Sequence, residues 1–498
     1  MRTLLAGGLA LLLAGAAGAA TVQGTTRGER LAGTARADLI LARGGADRVA
    51  AGAGDDRIAV QYDEARDTVS CGAGRDIVNA DPADRVAADC EVVSRRLSRD
   101  AYANRDGQHE TQVEPDSFTF GRTTVAVFQT GRRSAGASAN IAFATSRDDG
   151  ATWRGGELPG ITALAPRPGS AAAASDPVVA YDAMHDVWLA NSLALFEPTR
   201  LTINRSTDGL AWSDPIDAAA AAATIDGDIA YDKQWLACDN GAASPFRGRC
   251  YLAYSDFVRG GLSVQTSTDG GLTWAQPVSI APLSLVGAFP AIQPNGTLVV
   301  VYRSGTEGRE EIDAARSSDG GATLEPPVLV SPMDAFVVGL RLPVLPSVEV
   351  DRTGRIWATW HDCRLRPSCS GNDVVVSTST DGIEWTAPRR VTSGRTAAIP
   401  AIASDPVSGR LAILFYAVGI GIDAELVEST NAGATWSAPR RLSAQTMLRH
   451  WLPGTNQGAM LADYISVTYA AGRPLAVWAL ASEPAGAEFR QAIFATRG

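Results

Sequence analysis

The sequence predicts an all-β protein, a β-propeller preceded by a short parallel β-roll-like module. The propeller rests on a phrase that returns six times: SRDDGATW at 146–153, STDGLAW at 206–212, STDGGLTW at 267–274, SSDGGATL at 317–324, STDGIEW at 379–385 and STNAGATW at 429–436. Successive copies begin 60, 61, 50, 62 and 50 residues apart, a spacing that fits four-stranded blades with variable loops. The module rests on six aspartates at 38, 47, 56, 67, 76 and 84.

The repeated phrase has a structural job. Each copy follows an apolar or alternating run typical of a strand, such as NIAFAT at 140–145 or DVVVST at 373–378. The Asp of the phrase can accept backbone N–H groups across a turn, and the neighbouring Gly can take positive φ. The Trp that ends most copies can then cover the hairpin with a large apolar face. We therefore expect the phrase to fold the sheets rather than to do chemistry.

The phrase resembles the Asp-box, the bacterial neuraminidase repeat of the sialidase superfamily, and the resemblance covers residues 110–498. It implies a β-propeller that acts on exposed glycans. A seventh unit lacks the phrase but has comparable strands at 463–472, 475–480 and 492–498. Seven blades are therefore predicted, with six, as in sialidases, as the alternative. A strand from 100–113 would pair with Ala492–Thr496 and complete the last blade, because an open sheet edge is a liability.

The chain before residue 96 divides into two segments. Residues 1–20 carry Arg2, an apolar run and the small-residue pattern AGA, which predict a signal peptide and a secreted protein. Residues 21–95 resemble the nonapeptide calcium-binding repeats of secreted bacterial proteins, which implies a parallel β-roll with Asp47, Asp56 and Asp76 as calcium ligands. The alternative is a degenerate roll held by its Val and Ile core with little affinity for calcium. The propeller domain is assigned to residues 96–498.

Composition excludes several classes of function. The net charge of −10 leaves no basic face for nucleic acid, and no segment after the signal is apolar enough to span a bilayer. Nearly all positive charge is arginine, since Lys233 is the single lysine. We expect a free, monomeric protein whose partner is a glycan or a cell-surface carbohydrate.

The six cysteines of an exported chain predict three disulfides. Pairing within one small module favours Cys71–Cys90, Cys238–Cys250 and Cys363–Cys369. The sequence alone admits about fifteen pairings.

The resemblance also implies a site. A sialidase grips the substrate carboxylate with three arginines and uses a Tyr nucleophile, a Glu partner and an Asp acid. By position, the arginines are Arg303, Arg341 and Arg364, the nucleophile is Tyr464 with Glu310 or Glu311 beside it, and the acid is Asp176. Residues expected to contact the substrate are Asp232, Trp235, His361, Asp362, Trp451 and Asp463.

One feature of the first predicted blade favours an alternative function. It opens with Glu114-Pro115-Asp116, where sialidases carry an Arg-Ile-Pro motif. A carboxylate there would repel an anionic substrate unless it were protonated or bound to metal. The alternative is a non-catalytic carbohydrate- or surface-binding protein with Trp235, Trp360, Trp451 and Tyr464 as stacking platforms. Neither a GxSxG motif nor a Cys/His signature supports serine or cysteine catalysis.

Overall fold

The computed structural model describes residues 19–195, 199–220, 230–281, 284–306 and 309–498. Within these ranges the chain is all-β apart from two short 3-10 helices, Pro367–Cys369 and Arg449–Trp451. None of the described helices is long and apolar enough to cross a membrane. Residues 1–18 of the predicted signal peptide lie outside the described residues. The chain divides into two compact units, Met1–Val93 and Ser94–Gly498.

The first unit is a parallel β-solenoid. Its strands are β1 Thr21–Gln23, β2 Arg30–Ala32, β3 Leu39–Leu41, β4 Arg48–Ala53, β5 Arg57–Ala59, β6 Thr68–Ala73, β7 Ile77–Ala80 and β8 Arg85–Val86. The odd-numbered strands pair in parallel in one sheet and the even-numbered strands in another. Thr21 pairs with Leu39, Leu39 with Arg57 and Arg57 with Ile77, so one coil takes 18–20 residues, two nonapeptides.

Buried branched side chains and stacked glycines hold the coils together. Ile40, Ile58 and Val78 follow one another in successive coils and are fully buried. Gly52 and Gly72 are register partners in β4 and β6, with φ of 112° and 100°. A Cβ at Gly72 would lie 1.8 Å from the carbonyl oxygen of Gly52, so only glycine permits this approach of the two turns.

The second unit begins within the next strand, β9 Val92–Arg96. Its further strands are β10 Gln112–Phe120, β11 Thr123–Arg132, β12 Ser138–Ser146, β13 Arg154–Glu157, β14 Ala173–Asp182, β15 Val187–Leu195, β16 Arg200–Ser206, β17 Ile216–Ala220, β18 Tyr231–Cys238, β19 Cys250–Asp256, β20 Gly261–Ser267, β21 Val278–Ile280, β22 Leu285–Ile292, β23 Leu298–Thr306, β24 Arg309–Ser317, β25 Val328–Met333, β26 Ser347–Val350, β27 Ile356–Asp362, β28 Asp373–Ser379, β29 Arg389–Arg390, β30 Thr396–Ser404, β31 Leu411–Val418, β32 Gly421–Ser429, β33 Arg440–Arg441, β34 Met447–Leu448, β35 Gly454–Thr455, β36 Gly458–Ala459, β37 Ser466–Ala470, β38 Arg473–Ala481 and β39 Gln491–Arg497.

These strands form antiparallel sheets in chain order. Separate four-stranded sheets run β18 to β21, β22 to β25 and β26 to β29, and β34 adds to the sheet of β30 to β33. Neighbouring sheets bury apolar side chains against each other, as Val299 and Val301 of β23 do with Ile356 and Ala358 of β27. The two-stranded β35–β36 hairpin stands apart from the larger sheets.

The repeated phrase forms the same turn six times. In the first copy, Asp148 Oδ1 accepts the Thr152 N–H at 2.8 Å and the Ser146 hydroxyl at 2.8 Å. In the other copies the corresponding side-chain oxygen also accepts a backbone N–H three or four residues later. Asn431 therefore replaces the aspartate without loss of this hydrogen bond. The phrase forms turns, as predicted from the sequence.

The predicted fold class is corrected by the sheet topology. Ser138 of β12 pairs with Ala174 of β14, so the strands expected to form the first two blades belong to one sheet, β10 to β17. The predicted β-propeller, with seven or alternatively six separate blades, is therefore corrected to a β-solenoid with many separate sheets. The reason is physical: the repeated turn closes a hairpin locally and does not determine how successive sheets are joined.

The partner of the last strand also differs from the prediction. Phe494, Ala495 and Thr496 pair with Arg96, Arg95 and Ser94 of β9, and not with a strand from 100–113. The strand β39 contacts the expected segment 100–113 at its first residue, where the Gln491 N–H donates to the carbonyl oxygen of Glu110 at 2.8 Å. The edge of β39 is therefore covered, as expected, but by residues nearer the N-terminus.

The three predicted disulfides are present: Cys71–Cys90, Cys238–Cys250 and Cys363–Cys369. Each closes a loop inside one unit, so locality was the right basis for the pairing. Cys238 and Cys250 are also register partners across β18 and β19, which places their side chains next to each other.

Candidate functional site

A bulge recurs in five strands of the second unit. The strand register shifts in β10, β14, β18, β22 and β30. In each shift one residue has positive φ: Glu114 (54°), Asp176 (49°), Lys233 (45°), Gly287 (72°) and Ile399 (51°). Such a backbone is unfavourable for non-glycine residues, and bulges re-aim side chains. Three of these strands, β10, β14 and β18, thereby present a charged residue at equivalent positions.

The ammonium group of Lys233 is the centre of the site. Its Nζ lies 2.9 Å from Asp176 Oδ1, 2.9 Å from Asp463 Oδ2 and 3.5 Å from Glu114 Oε1. Arg341 Nη2 contacts the same Asp463 oxygen at 2.6 Å. The lysine side chain is 10% exposed and the three carboxyl groups are at most 4% exposed. Ions this deeply buried interact far more strongly than surface pairs.

The carboxyl groups around Lys233 differ in protonation. Burial raises the pKa of Glu114 well above its usual value, more than the charge of Lys233 lowers it. Burial acts the same way on Asp176, but the charge of Lys233 and hydrogen bonds from Glu114, Lys233 and Asp232 hold its pKa below the usual range. For Asp463, the charges of Lys233 and Arg341 likewise outweigh burial and lower the pKa. The surroundings thus favour the protonated form of Glu114 and the ionised form of the two aspartates.

Asp232 adds a fourth carboxyl group to the cluster. Burial and the charge of Asp176 raise its pKa to about 7, against the lowering effect of Lys233. Its Oδ1 accepts the backbone N–H of Lys233 at 2.9 Å. The Asp232 carboxyl group therefore changes its ionisation near neutral pH, whereas Asp176 and Asp463, whose pKa values are lowered, stay ionised there.

Polar side chains from the neighbouring strand β11 support Glu114. The Gln129 amide donates to Glu114 and, at 3.1 Å, to the Ser175 hydroxyl. Arg132 lies deeper, is 1% exposed, and its Nε and Nη1 have no hydrogen-bond partner among the described residues. Burial lowers the pKa of Arg132, while the charge of Glu114 raises it. A second guanidinium therefore borders the acid.

Tyr464 borders the cluster through its ring rather than its hydroxyl. The Tyr464 hydroxyl donates to the carbonyl oxygen of Pro177 at 3.0 Å. Its ring meets Trp235 edge-on at 5.0 Å and lies 5.6 Å from Lys233 Nζ. Burial, and then the charge of Glu114, raise the pKa of Tyr464 well above its usual value. The side chain is thus a neutral phenol bonded to the backbone.

The other predicted site residues have local partners. Arg303 Nε contacts Glu310 Oε2 at 2.7 Å across β23 and β24, and Glu311 is half-buried on the same hairpin. Arg364 Nη2 contacts Asp362 Oδ2 at 2.7 Å. None of these contacts reaches Lys233, so the structure does not bring Glu310 to Tyr464 or Arg303 and Arg364 to Arg341.

Three of the predicted aromatic and histidine residues, Trp360, His361 and Trp451, also have local partners instead of Lys233. His361 is buried, its Nδ1 accepts the Ile399 N–H at 3.4 Å, and burial lowers its pKa to about 4. Trp360 is fully buried and donates to Asp362, so it offers no stacking face. Trp451 is half-buried beside the exposed His450 ring. Of the predicted aromatic contacts, Trp235 and Tyr464 adjoin the cluster.

A cavity of about 490 Å³ adjoins the cluster through Asp463, Tyr464 and Trp235. Its other walls come from the first strands of neighbouring sheets and include Asp116 and Glu349. Burial raises the pKa of Asp116 to about 7 and that of Glu349 to about 8. The cavity therefore joins an aromatic wall to carboxyl groups that carry protons near neutral pH.

Sequence reasoning missed the centre of the site. It placed Glu114 at the start of an inner strand but treated it as an obstacle to an anionic substrate, and it interpreted Lys233 as a sign of arginine-rich composition. The available signal was the lysine count, because one lysine among 44 basic residues marks a position where arginine does not serve. Nothing in the sequence indicated that Arg132 would be buried beside Glu114.

The first unit contains a separate carboxylate site. Asp56 Oδ1 accepts the N–H of Asp38, and Asp76 Oδ1 that of Asp56, each at 2.7 Å. In the second row, Asp67 Oδ1 accepts the N–H of Asp47 at 2.7 Å. The second oxygens of Asp47, Asp56, Asp67 and Asp76 are buried and have no hydrogen-bond partner among the described residues. Oxygens left in this way suit Ca²⁺, a hard cation that takes oxygen ligands.

Comparison with known proteins gives one family match. A family model for the RTX calcium-binding nonapeptide repeat (4 copies) matches residues 23–58, which agrees with the resemblance inferred from the sequence. The repeats indicate calcium binding. No curated protein matches the chain.

Solved structures similar to the chain include carbohydrate-active enzymes. One is the Hadza microbial sialidase Hz136, with 16% identity over 78% of this chain and 68% of that chain and a TM-score of 0.41. Another is the NanB sialidase from Streptococcus pneumoniae, with 13% identity over 80% and 70% and a TM-score of 0.40. A PL25 ulvan lyase has 12% identity over 78% and 94% and a TM-score of 0.47. Likenesses of this size carry no argument about activity.

Proposed function

We propose that the protein is a secreted glycoside hydrolase that acts on exposed glycans, with the Lys233 cluster as its active site. The observation that carries the proposal is that Glu114 and Asp176 contact one ammonium group and have pKa values shifted in opposite directions. Glycoside hydrolysis needs one carboxyl group that holds a proton and one that is ionised. Environments that split two carboxyl groups in this way are typical of such acid and base assignments.

The roles follow from these protonation states. Glu114 donates its proton to the oxygen of the glycosidic bond as that bond breaks. Asp176 stays ionised and stabilises the positive charge that develops on the sugar ring. A water molecule then adds to the sugar carbon, and its proton returns to the Glu114 carboxylate. Asp232 and Arg341, which are less buried than Glu114 and Asp176, contact the substrate, and Trp235 offers an aromatic face to the sugar. The glycan class itself is supported by the resemblance of the repeated turn to the Asp-box.

Exo-sialidase activity is the narrower form of this proposal. Arg341 and the buried Arg132 both border Asp463 and Glu114, and guanidinium groups suit a substrate carboxylate. A protonated Glu114 removes the repulsion that its charge would cause. A Tyr464 nucleophile would first have to give up its hydrogen bond to Pro177.

Two features support secretion and calcium binding. Three disulfides are typical of proteins that fold in an oxidising compartment. Asp47, Asp56 and Asp76, with Asp67, offer buried, unpartnered oxygens to Ca²⁺ between successive coils. Calcium would supply the positive charge that these rows of carboxylates lack, and it would thereby stabilise the first unit.

The second candidate is a non-catalytic carbohydrate-binding protein. It is favoured by the ion pairs of Lys233 and Arg341, since both cations already have carboxylate partners. A panel of fluorogenic glycosides, sialosides included, separates the two candidates when wild type and Glu114→Gln are compared. The hydrolase proposal expects turnover by wild type, loss of turnover in Glu114→Gln, and retained binding of the same glycoside. Binding without turnover by either protein would contradict the hydrolase and support the binding protein.

A further inference from the structure

The lysine at the centre of the site stands out against the composition of the chain. Lysine and arginine together number 44, and Lys233 is the single lysine. It occupies the positive-φ position of the β18 bulge, at φ 45°, where most side chains are disfavoured. A chain that otherwise uses arginine keeps a lysine at a strained, buried position, which points to chemistry that a guanidinium cannot supply there.

The geometry shows what the ammonium group supplies. Three carboxyl groups from three different segments, Glu114, Asp176 and Asp463, meet at one nitrogen atom within 3.5 Å. An ammonium is a compact point charge with three donors, whereas a guanidinium is a planar fork that suits one carboxylate at a time. Arg341 illustrates the difference, since the carboxylate of this cluster with which it forms an ion pair is Asp463, whereas Lys233 contacts all three.

We propose that Lys233 is the positioning residue that holds the three carboxyl groups together and enables Glu114 to release its proton. While Glu114 is protonated, the ammonium charge is neutralised by Asp176 and Asp463. When the proton passes to the leaving group, the new Glu114 carboxylate lies 3.5 Å from the same ammonium, which stabilises it. Lys233 keeps its own proton throughout, because Asp176 and then Asp463 raise its pKa despite burial.

Other groups around Lys233 modulate this charge without replacing it. Asp232 precedes it on β18 and changes its ionisation near pH 7. The Tyr464 ring lies 5.6 Å from Nζ, and Arg341 acts through the shared Asp463. Arg132 borders Glu114 from β11. The effect of Lys233 on the Glu114 titration is therefore measured by substituting Lys233 itself while these neighbouring groups stay unchanged.

The single lysine permits a direct measurement. Protein labelled with lysine that carries ¹⁵N at Nζ should give one side-chain resonance, with the ammonium charge retained to high pH. Asp176→Asn and Asp463→Asn should each shift this resonance. Glu311→Gln, which changes a half-buried carboxyl group on β24 outside the contacts of Lys233, is the matched control and should leave it unchanged. A resonance that responds to neither aspartate variant would overturn the proposal.

The proton on Glu114 gives the second measurement. Its carboxylic-acid band in infrared spectra is identified by its loss in Glu114→Gln and is then followed against pH. Lys233→Met removes the charge, and Lys233→Arg keeps the charge but not the point contact. We expect both to move the midpoint of the Glu114 titration by about one pH unit or more, upward in Lys233→Met. Unchanged midpoints in both variants would overturn the proposal.

Activity supplies a separate test because the role of Lys233 rests on the proposed hydrolase. Lys233→Ala should lose about 100-fold in kcat with a smaller change in KM, and added ethylamine should restore part of it. Lys233→Arg covers the case in which Lys233→Ala fails to fold. If wild type hydrolyses no glycoside, the hydrolase fails, while the resonance and the Glu114 titration still decide the role of Lys233. Full activity in Lys233→Arg and Lys233→Ala would overturn it.

Discussion

Glu114 and Asp176 contact the same ammonium group and favour opposite protonation states. Lys233 Nζ lies 3.5 Å from Glu114 Oε1 and 2.9 Å from Asp176 Oδ1. The shorter contact and the added hydrogen bonds stabilise the Asp176 carboxylate, while burial dominates at Glu114. The surroundings therefore favour a protonated Glu114 next to an ionised Asp176.

The first prediction concerns catalysis by Glu114. Glu114→Gln keeps the side-chain shape but cannot donate the proton, so kcat should fall by about 10²–10⁴-fold, with KM changed much less. The measurement is steady-state hydrolysis of the glycoside that wild type accepts. Glu311→Gln is the control and should behave as wild type. An unimpaired Glu114→Gln protein would show that another group donates the proton.

The second prediction concerns stability against pH. The pKa of Glu114 is raised in the folded protein, so the folded state binds more protons than the unfolded state above the usual value of 4.5. The free energy of unfolding should therefore fall as pH rises above that value. Glu114→Gln removes this contribution, and its stability should decline less between pH 4 and pH 8, as measured by chemical denaturation. Parallel pH curves for the two proteins would refute the assignment.

The third prediction concerns calcium and the first unit. Burial raises the pKa of Asp56 to about 6 and of Asp67 to about 7 without metal. In chelator, the stability of this unit should fall as pH rises from 4 to 8, because the buried carboxylates ionise without a partner. Added calcium should reverse the loss, more strongly at pH 8 than at pH 5. Thermal unfolding with and without calcium measures both effects.

A pair of neighbouring aspartates provides the control for the calcium prediction. Asp56 is fully buried in the row of carboxylates, whereas Asp55 is exposed beside it. Asp56→Asn should weaken calcium binding in calorimetry, and Asp55→Asn should leave it nearly unchanged. Equal effects of the two substitutions would argue for loose binding to surface charge and for the degenerate roll.

The fourth prediction compares two arginine–carboxylate pairs. Arg341→Ala leaves the buried Asp463 with one cation fewer and should lower the free energy of unfolding by about 3 kcal/mol. Arg303→Ala breaks a pair whose carboxylate is 44% exposed, and its cost should stay below about 1 kcal/mol. Urea denaturation of both variants measures the difference. Similar costs for the two would show that the Arg341 pair is not effectively buried.

The fifth prediction concerns Tyr464. Tyr464→Phe loses the hydrogen bond to Pro177 and should cost about 1 kcal/mol of stability. Turnover should remain within a few-fold of wild type, because the phenol is neutral and bonded to the backbone. Loss of turnover with an intact fold would instead favour exo-sialidase chemistry with Tyr464 as nucleophile.

What the sequence by itself determined is local. The repeated phrase predicted six turns in which Asp148 and its equivalents accept backbone N–H groups, and the resemblance of residues 21–95 to nonapeptide repeats predicted a parallel β-roll. The cysteine positions predicted three disulfides. Each of these features depends on residues close together along the chain or at a fixed repeat, so the pattern alone carries the information.

What only the tertiary structure decided depends on contacts between distant segments. The pairing of Ser138 with Ala174 joins sheets that the repeat suggested were separate. The site brings Glu114, Lys233 and Asp463 together from segments more than 100 residues apart, and burial then sets which carboxyl group keeps its proton. No periodicity encodes such a meeting, because it arises from bulges that turn single side chains toward a shared, water-poor centre.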